Sequence, residues 1–528
     1  MKCFFGQRPR PQICIPFGKM IFLWAVLGLF GMEPSLSSWA WEIKTHRELT
    51  EQAINIKAGI LDPYLKDNLG LESGLNEMVD GKTAREWMIE GSDLEDGELP
   101  LSTRVISHFH DALNNRGLEA VVLGVAADGD SSIDWSLAGV GSQDGEDSFS
   151  WNDAREYYFK ALTLPTKTER DEYWGKTFRA LGQVMHLLQD SANPSHVRND
   201  DHLDLSASFG PLGGVDVDGL HDYMARQSVS SYAGATFFTP DSSLLETGGS
   251  VRSEPFSNLF DTNKYTGVNP GATLGNDVGI AEFTNANFFS DDTIPGQSTL
   301  VLFPFPDVFE LVPGPSNLPY LTLPRLGSPT FPAARAAKLT TNQAAAQFLL
   351  TNTHFDLIGK LELDDAVYDA QAQNLIPRAI DYFAAVLEYF FRHQFTFEPF
   401  RQVFFVIGTL IPPPPFGCGP PADPNPTLQE GFLDVEVTIP SDLNFQGDVS
   451  LYLELPDKTR VLVVKLPNIS GGGEPIRFDG HHPHAEFISG QLVRWYVVLD
   501  GKASPGVQED RAILADTDQA AWIWGCFS

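Results

Sequence analysis

The sequence predicts a mainly α-helical bundle followed by a C-terminal antiparallel β-sandwich module. Three observations carry this. From Trp41 to about Arg226, and again from Ala333 to Arg392, apolar residues recur at three and four spacing, the period of a helix face turned to a core. A run of prolines (Pro412–Pro415, Pro420, Pro421, Pro424 and Pro426) then makes a stiff linker. Beyond it the period falls to two. Leu433, Val435, Val437 and Ile439 alternate with polar residues, as do Val449, Leu451, Leu453 and Leu455, then Val493, Trp495 and Val497. The expected organisation is a removable segment over 1–40, a helical domain over 41–405 and a linker over 406–428. The β module takes 429–528, and a loop-rich insert occupies about 228–335 of the helical domain.

The chain has 528 residues, 42% hydrophobic and 20% charged, enough to build a large core without staples. That excludes a disordered, collagen-like or small disulfide-stapled protein. The net charge is −33, and a surface of that sign repels long polyanions. Unless a local cation reverses that sign, a protein that reads duplex nucleic acid through a basic stripe is not expected.

The elements follow in order. Lys2, Arg8, Arg10 and Lys19 precede an apolar run from Met20 to Met32, and Ser38-Trp39-Ala40 ends the stretch. Basic region, short apolar region, then small residues two apart: this is a secretory signal with its cleavage site. The run is shorter than the ~20 residues a spanning helix needs. The mature chain is therefore expected to begin at Trp41 and to be secreted, extracellular or periplasmic. Cys3 and Cys14 leave with the signal. Cys418 and Cys526 remain, and an oxidising compartment lets them bridge and clip the C-terminal module, although two separate thiols satisfy the same count.

Thr45-His46-Arg47-Glu48 reads as a capping box, with Thr45 as N-cap. Tyr157–Leu164 and Thr177–Ala192 carry helical apolar spacing. Residues 228–335 are rich in Gly, Pro, Ser and Asp and read as loops around short elements. Asn374–Phe391 is apolar nearly all round, which predicts a helix buried inside the bundle.

Twelve histidines are present, and their placement is informative. In the segment Ala180–His196, His186 and Asp190 lie one turn apart on one helix face, among Leu181, Val184, Met185, Leu187 and Leu188. A buried His and Asp need partners, and a lone pair can satisfy each other. His196, six residues on and beyond the helix-ending Asn193-Pro194, shifts the reading to metal, since imidazole and carboxylate are ligands zinc accepts. Upstream stand His46, the acids Asp93, Glu95 and Asp96, and His108-Phe109-His110-Asp111. Downstream stands His221.

This ordered set resembles the zinc-dependent phospholipase C family, whose superfamily includes fungal zinc nucleases that cut single-stranded nucleic acid and 3′-nucleotides. The resemblance covers about residues 41–225, with a looser echo in the helix ending near Phe391. It implies up to three Zn2+ in a cleft of a helical bundle. One would be held by the amino nitrogen and carbonyl of Trp41, by His46 and by Asp190. A second would be held by His108, His186, Asp190 and an acid of the 93–96 cluster. A third would be held by His196, His221 and an acid. Asp93 and Asp96 both fit the family spacing, and Asp96 is favoured because an acidic pair after a Gly-small start resembles bacterial members. Either can also act as the base or orienter beside a metal-bound water, whose pKa falls toward ~7. Two positions depart from the family. Its last carboxylate is Ala225 here, leaving Asp218, Asp222 or the stretch Ile280–Ser290 to complete the third site, and its proline after the HF-x-D element is Ala112.

The implied activity is hydrolysis of phospholipids, or of another small phosphodiester, with the β module as a candidate for docking to a membrane surface. The same residues leave room for a nuclease, which the five-residue Trp41–His46 spacing favours, and for a non-catalytic binding protein with a degraded metal site. His481, His482 and His484 read as a histidine-rich turn, and His202, His354 and His393 as structural or exposed. Asn468-Ile469-Ser470 fits a glycosylation acceptor.

Overall fold

In the computed structural model of the chain, the described residues are 43–96, 103–122, 125–143, 148–200, 219–234, 238–246, 248–296, 303–314, 319–326, 335–341, 344, 348, 354–392, 396–398, 431–439, 445–455, 457–471, 475–482, 492–502 and 511–521. They belong to one unit spanning 38–202 and 217–528. Residues 1–40 and 406–428, expected as signal and linker, lie outside the described residues, as do Trp41, all four cysteines and His202, His393 and His484.

Helices carry the first part. They are α1 (Ile43–Asp67), α2 (Ala84–Leu94), α3 (Thr103–Ile106), α4 (Ser132–Ser136), α5 (Trp151–Thr163) and α6 (Lys167–Asp190). Then come α7 (Pro194–Val197), α8 (Gly219–Ala225), α9 (Ile280–Asn287) and α10 (Asp365–Phe390). Local sequence sets the starts. Thr83, Ser150 and Thr166 cap α2, α5 and α6, each with a carboxylate three residues on returning the bond. The N-cap expected at Thr45 is corrected. Helix α1 already includes Ile43, so Thr45 is buried within it. The Glu48 carboxylate instead accepts from the Val229 backbone N–H (2.8 Å) and the Ser228 hydroxyl (3.1 Å). A capping-box pattern gives the side chains that can cap, not which backbone they meet.

Helices α6 and α10 are the inner members. From Thr177 to Asp190 α6 is buried almost throughout, and α10 is buried over most of its length. Helix α6 packs closely on α2 because glycines face each other there. A Cβ at Gly182 would lie 2.2 Å from the Met88 carbonyl oxygen, and one at Gly91 would lie 2.2 Å from the Arg179 carbonyl oxygen. This crossing brings the end of α2 against His186. Gly182→Ala is expected to force the helices apart and cost ~1–3 kcal/mol, the overpacking range. Thermal denaturation checks it, and a Tm unchanged from the parent chain would refute the close-approach argument.

The insert folds as 3-10 turns and short elements around α9. The helical pattern expected from Ala333 is corrected. Arg335–Leu339 is a strand, and α10 starts only at Asp365. That strand pairs with Tyr320–Thr322 and Leu361–Glu362 in a four-stranded antiparallel sheet completed by Val312–Pro313. Ala336, Ala337 and Leu339 bury their side chains there. Tertiary pairing overrides the helix preference of an alanine-rich segment.

The C-terminal part is antiparallel β throughout. One sheet joins β1 (Thr396–Glu398), β2 (Gly431–Thr438) and β5 (Pro475–His482) in the order β5-β2-β1. The other joins β3 (Phe445–Glu454), β4 (Arg460–Gly471), β6 (Leu492–Lys502) and β7 (Arg511–Ala521) in the order β4-β3-β6-β7. Val437 and Ile439 from the first sheet meet Val449, Leu451, Leu453, Trp495, Val497 and Leu514 from the second, the core of a sandwich. Strand β1 precedes the proline run, so the sheet takes residues from the stretch assigned above to the helical domain. The other face of the larger sheet is buried too. Tyr452, Tyr496, Val498, Ile513 and Ala515 join the main hydrophobic core with the helices.

Candidate metal centre

Two helices and the segments that follow two others converge on a buried polar cluster. Helix α1 supplies His46 near its start, and α6 supplies His186 and Asp190 on its last turn. Asp96 follows the end of α2, and His108 follows α3. All five side chains are buried.

Each carboxylate aims one oxygen at His46 and the other at His108 and His186. Asp190 Oδ1 lies 3.6 Å from His46 Nε2, and its Oδ2 lies 3.2 Å from His186 Nε2 and 3.3 Å from His108 Nδ1. Asp96 Oδ2 lies 3.8 Å from His46 Nε2, and its Oδ1 lies 3.4 Å from His186 Nε2 and 3.5 Å from His108 Nδ1. The His46 and His186 rings stack with centroids 3.8 Å apart. Among the described residues, two sets of ligand atoms lie close enough together to hold a metal ion: His46, Asp96 and His186, and His108, His186 and Asp190. The ring nitrogens that face the cluster and all four carboxylate oxygens are buried without a hydrogen bond. Buried polar atoms ordinarily have partners. A dication among them satisfies both carboxylates and the imidazole lone pairs together, so the residues fit a metal.

Outer contacts fix which nitrogen points inward. His46 Nδ1 donates to Gln189 Oε1 (2.5 Å), whose amide in turn donates to Thr50 Oγ1 (2.8 Å). His186 Nδ1 donates to the Ser92 carbonyl (2.7 Å). Both rings therefore turn Nε2 toward the cluster, the orientation a metal-ligating histidine needs. His108 is turned the other way, with Nδ1 toward the cluster and Nε2 3.8 Å from Glu95 Oε1.

Charge within the cluster is shared. Burial alone would lower His186, but Asp190 and Asp96 beside it hold its imidazole above the ordinary range. His46 is pushed well down by burial and by the neighbouring His186. Asp96 is held well below the usual carboxylate range by His186, His46 and His108, which outweigh its burial. For Asp190 burial wins, and its carboxyl is raised.

The remaining expected residues take other places. Asp93 is in neither set. One oxygen pairs with Arg47 and the other is buried without a hydrogen bond, and burial raises its carboxyl to about 6 against the pull of Arg47. His196 is held beside the cluster. Its Nδ1 donates to the His108 carbonyl (3.3 Å), its carbonyl accepts from His110 N–H (2.9 Å), and Phe109 stacks on its ring at 4.5 Å. His196 Nδ1 is 3.9 Å from Asp190 Oδ2. His221 sits on α8 with Nδ1 3.4 Å from Asp222 Oδ1 and belongs to neither set. Of the acids considered in place of Ala225, Asp218 lies outside the described residues. The Glu282 carboxylate accepts from Thr262, Tyr265 and Gly279, so it is committed to its own loop.

Three neighbours have roles that the sequence does not assign. Gln189 orients His46, and its only signal was adjacency to Asp190. Glu95, beside Asp96, accepts from the buried Arg104 (2.5 Å) and from Trp135 Nε1 (2.9 Å). Burial would raise Glu95, yet Arg104 holds it down to about 2. His110 bridges Ser131 Oγ and Asp261 Oδ2, both at 2.8 Å, and all three are buried. Ser131 Oγ also caps α4 through the Ile133 N–H, which marks the trio as scaffold. Asp111, the acid of HF-x-D, accepts from Leu113, Asn114 and Arg116 and fixes a turn.

No family model matches the chain, and no curated protein matches it. Among solved structures, alpha toxin from Clostridium absonum is similar over 92% of this chain and 100% of its own, at 11% identity and a TM-score of 0.27. A likeness of that size carries no argument, and the fold stands on the elements described above.

Proposed function

We propose that the chain is a secreted zinc-dependent phosphodiesterase that hydrolyses phospholipids in the manner of a phospholipase C. The observation that carries this is the convergence of two buried carboxylates and three imidazoles whose facing atoms make no hydrogen bonds. Its supports in the sequence are the export signal and the ordered Trp41, His46, HF-x-D and His186-x3-Asp190-x5-His196 set.

In this reading His46, Asp96 and His186 would hold one metal and His108, His186 and Asp190 a second, and Asp96 and Asp190 each turn one oxygen toward His46 and the other toward His108. Trp41, His196 and His221 are the further ligands that the motif set implies. Bound zinc supplies Lewis acidity toward a phosphoryl oxygen and lowers the pKa of a water it holds. The protein's own part is to hold the ligands dry and to accept a proton. Asp93, with one oxygen clamped by Arg47 and a carboxyl raised toward neutrality, is the base or orienter. The anionic surface does not repel the zwitterionic head group of phosphatidylcholine, whereas it repels a long polyanion.

Metal content measured by elemental mass spectrometry, on chain exported and cleaved before Trp41, tests the reading together with two substrates. About two or three zinc ions per chain and release of a phosphorylated head group from phosphatidylcholine are expected. Chelation should abolish the activity and zinc restore it. A folded chain with no metal overturns the proposal. Faster cleavage of single-stranded DNA than of phosphatidylcholine replaces it with the nuclease reading. Chain carrying one extra residue before Trp41 is expected to lose zinc, because the α-amino ligand is then an amide.

A further inference from the structure

We infer that Glu95 is a positioning residue for His108, the outer carboxylate toward which the Nε2–H points when Nδ1 serves the metal. The inference rests on the metal reading above and adds to it a residue that is not itself among the proposed ligands.

The geometry is asymmetric among the three inner histidines. His46 and His186 hand Nδ1–H to fixed neutral acceptors, a glutamine side chain and a backbone carbonyl. His108 has its Nδ1 3.3 Å and 3.5 Å from the two shared carboxylates. A cation seated there takes the Nδ1 lone pair, so the ring proton must sit on Nε2. The carboxylate facing Nε2 is Glu95, with Oε1 at 3.8 Å. That separation orients charge without yet being a hydrogen bond.

Glu95 is itself held. Its Oε2 meets the buried Arg104 guanidinium, and its Oε1 accepts from the Trp135 indole N–H. Arg104 is on α3 and Trp135 on α4, so two separate helices direct buried polar groups at one carboxylate. A buried ion pair is weak evidence for stability in itself. Its place behind a ligand nitrogen gives it a purpose, since a carboxylate on the far nitrogen fixes the ring and raises its basicity.

The test uses the full exported chain, and the probe is zinc alone. Glu95→Gln keeps size but withdraws the charge, and Glu95→Asp keeps the charge beside Arg104 but shortens the reach toward His108. Zinc affinity is read by competition with a chelating dye. Both variants are expected to bind zinc ~10–100-fold more weakly than the parent. In zinc-loaded protein labelled with 15N-histidine, the His108 Nε2–H signal, assigned by its loss in His108→Asn, is expected to shift upfield in Glu95→Gln. Signals of His46 and His186 should stay in place. A purely structural role would lower Tm and leave that proton unmoved. Parent-like affinity and an unmoved His108 signal in a folded variant overturn the inference. A parent chain that binds no zinc overturns the metal reading instead, so the two failures are distinguishable.

Discussion

Asp190→Asn is expected to empty both metal positions and to reduce phosphodiester hydrolysis by on the order of 10³-fold or more, the several kcal/mol that a Lewis-acid metal supplies. The reason is the division of its two oxygens. One faces His46 and the other faces His108 and His186, so its charge borders both positions. An asparagine has the same shape, but one oxygen becomes an amide that donates and cannot ligate. Metal content is expected to fall by more than one ion per chain, with circular dichroism unchanged. Asp93→Asn makes the contrast. Its side chain lies outside both ligand sets, so metal content should persist while turnover falls. A fully metallated Asp190→Asn chain would sink the shared-carboxylate arrangement, and a metal-free Asp93→Asn chain would move Asp93 among the ligands.

Much of this site was legible because its residues sit where local rules act. His186 and Asp190 share a helix face by spacing alone, and the break at Asn193-Pro194 returns His196 to the same end of α6. The choice between Asp93 and Asp96 was not legible by spacing. It turns on how α2 ends. The last turn points Asp93 toward Arg47, and Asp96, two residues beyond the helix, turns inward against His186. Nothing in the spacing of the 93–96 acids singles out Glu95 as the one that Arg104 and Trp135, brought from elsewhere in the chain, enclose. The strand at Arg335–Leu339 failed for a related reason, since its partners are set by long-range pairing that alanine content does not report. The period-two pattern of the C-terminal part was plain, yet a pattern of alternation does not say whether the second face meets water or another core. Here it meets the helices, and Tyr452 and Tyr496 are the residues that differ from a solvent-facing strand.

That second interface carries the other large effect. Glu454, on β3, is buried between Arg170 of α6 and Arg460 of β4, with its Oε2 3.4 Å from one guanidinium and 3.2 Å from the other. Arg170 also donates to the Lys458 carbonyl, and Arg460 donates to the Leu162 carbonyl and lies over the Tyr496 ring. Glu454→Gln removes the carboxylate and leaves two buried guanidinium charges facing each other. Breaking a buried pair in this way costs ~3–5 kcal/mol. A lowered Tm is expected, with protease sensitivity appearing first in the β module. The pH dependence follows from the same pair. Burial would raise the Glu454 carboxyl, but Arg460, Lys458 and Arg170 hold it below its ordinary value. Glu156 is depressed likewise, burial being outweighed by Arg511 and Lys160. A group depressed in the folded chain stabilises fully above its unfolded pKa of ~4.3, and the stabilisation is lost as pH falls through the folded value. The interface should therefore hold from neutral pH down to about 5 and loosen below about 4, where urea unfolding midpoints should drop. In Glu454→Gln that acid-induced drop should shrink, because the titrating partner is gone. Replacing all three residues with apolar ones, Arg170→Met, Glu454→Leu and Arg460→Met, should recover most of the loss at neutral pH, since a buried ion cluster and a packed apolar one are near equals in stability. A Glu454→Gln chain with parent-like stability and an unchanged acid transition would mean that the two arginines find other partners, and that the apolar face around Tyr452 and Tyr496 holds the module in place without the ions.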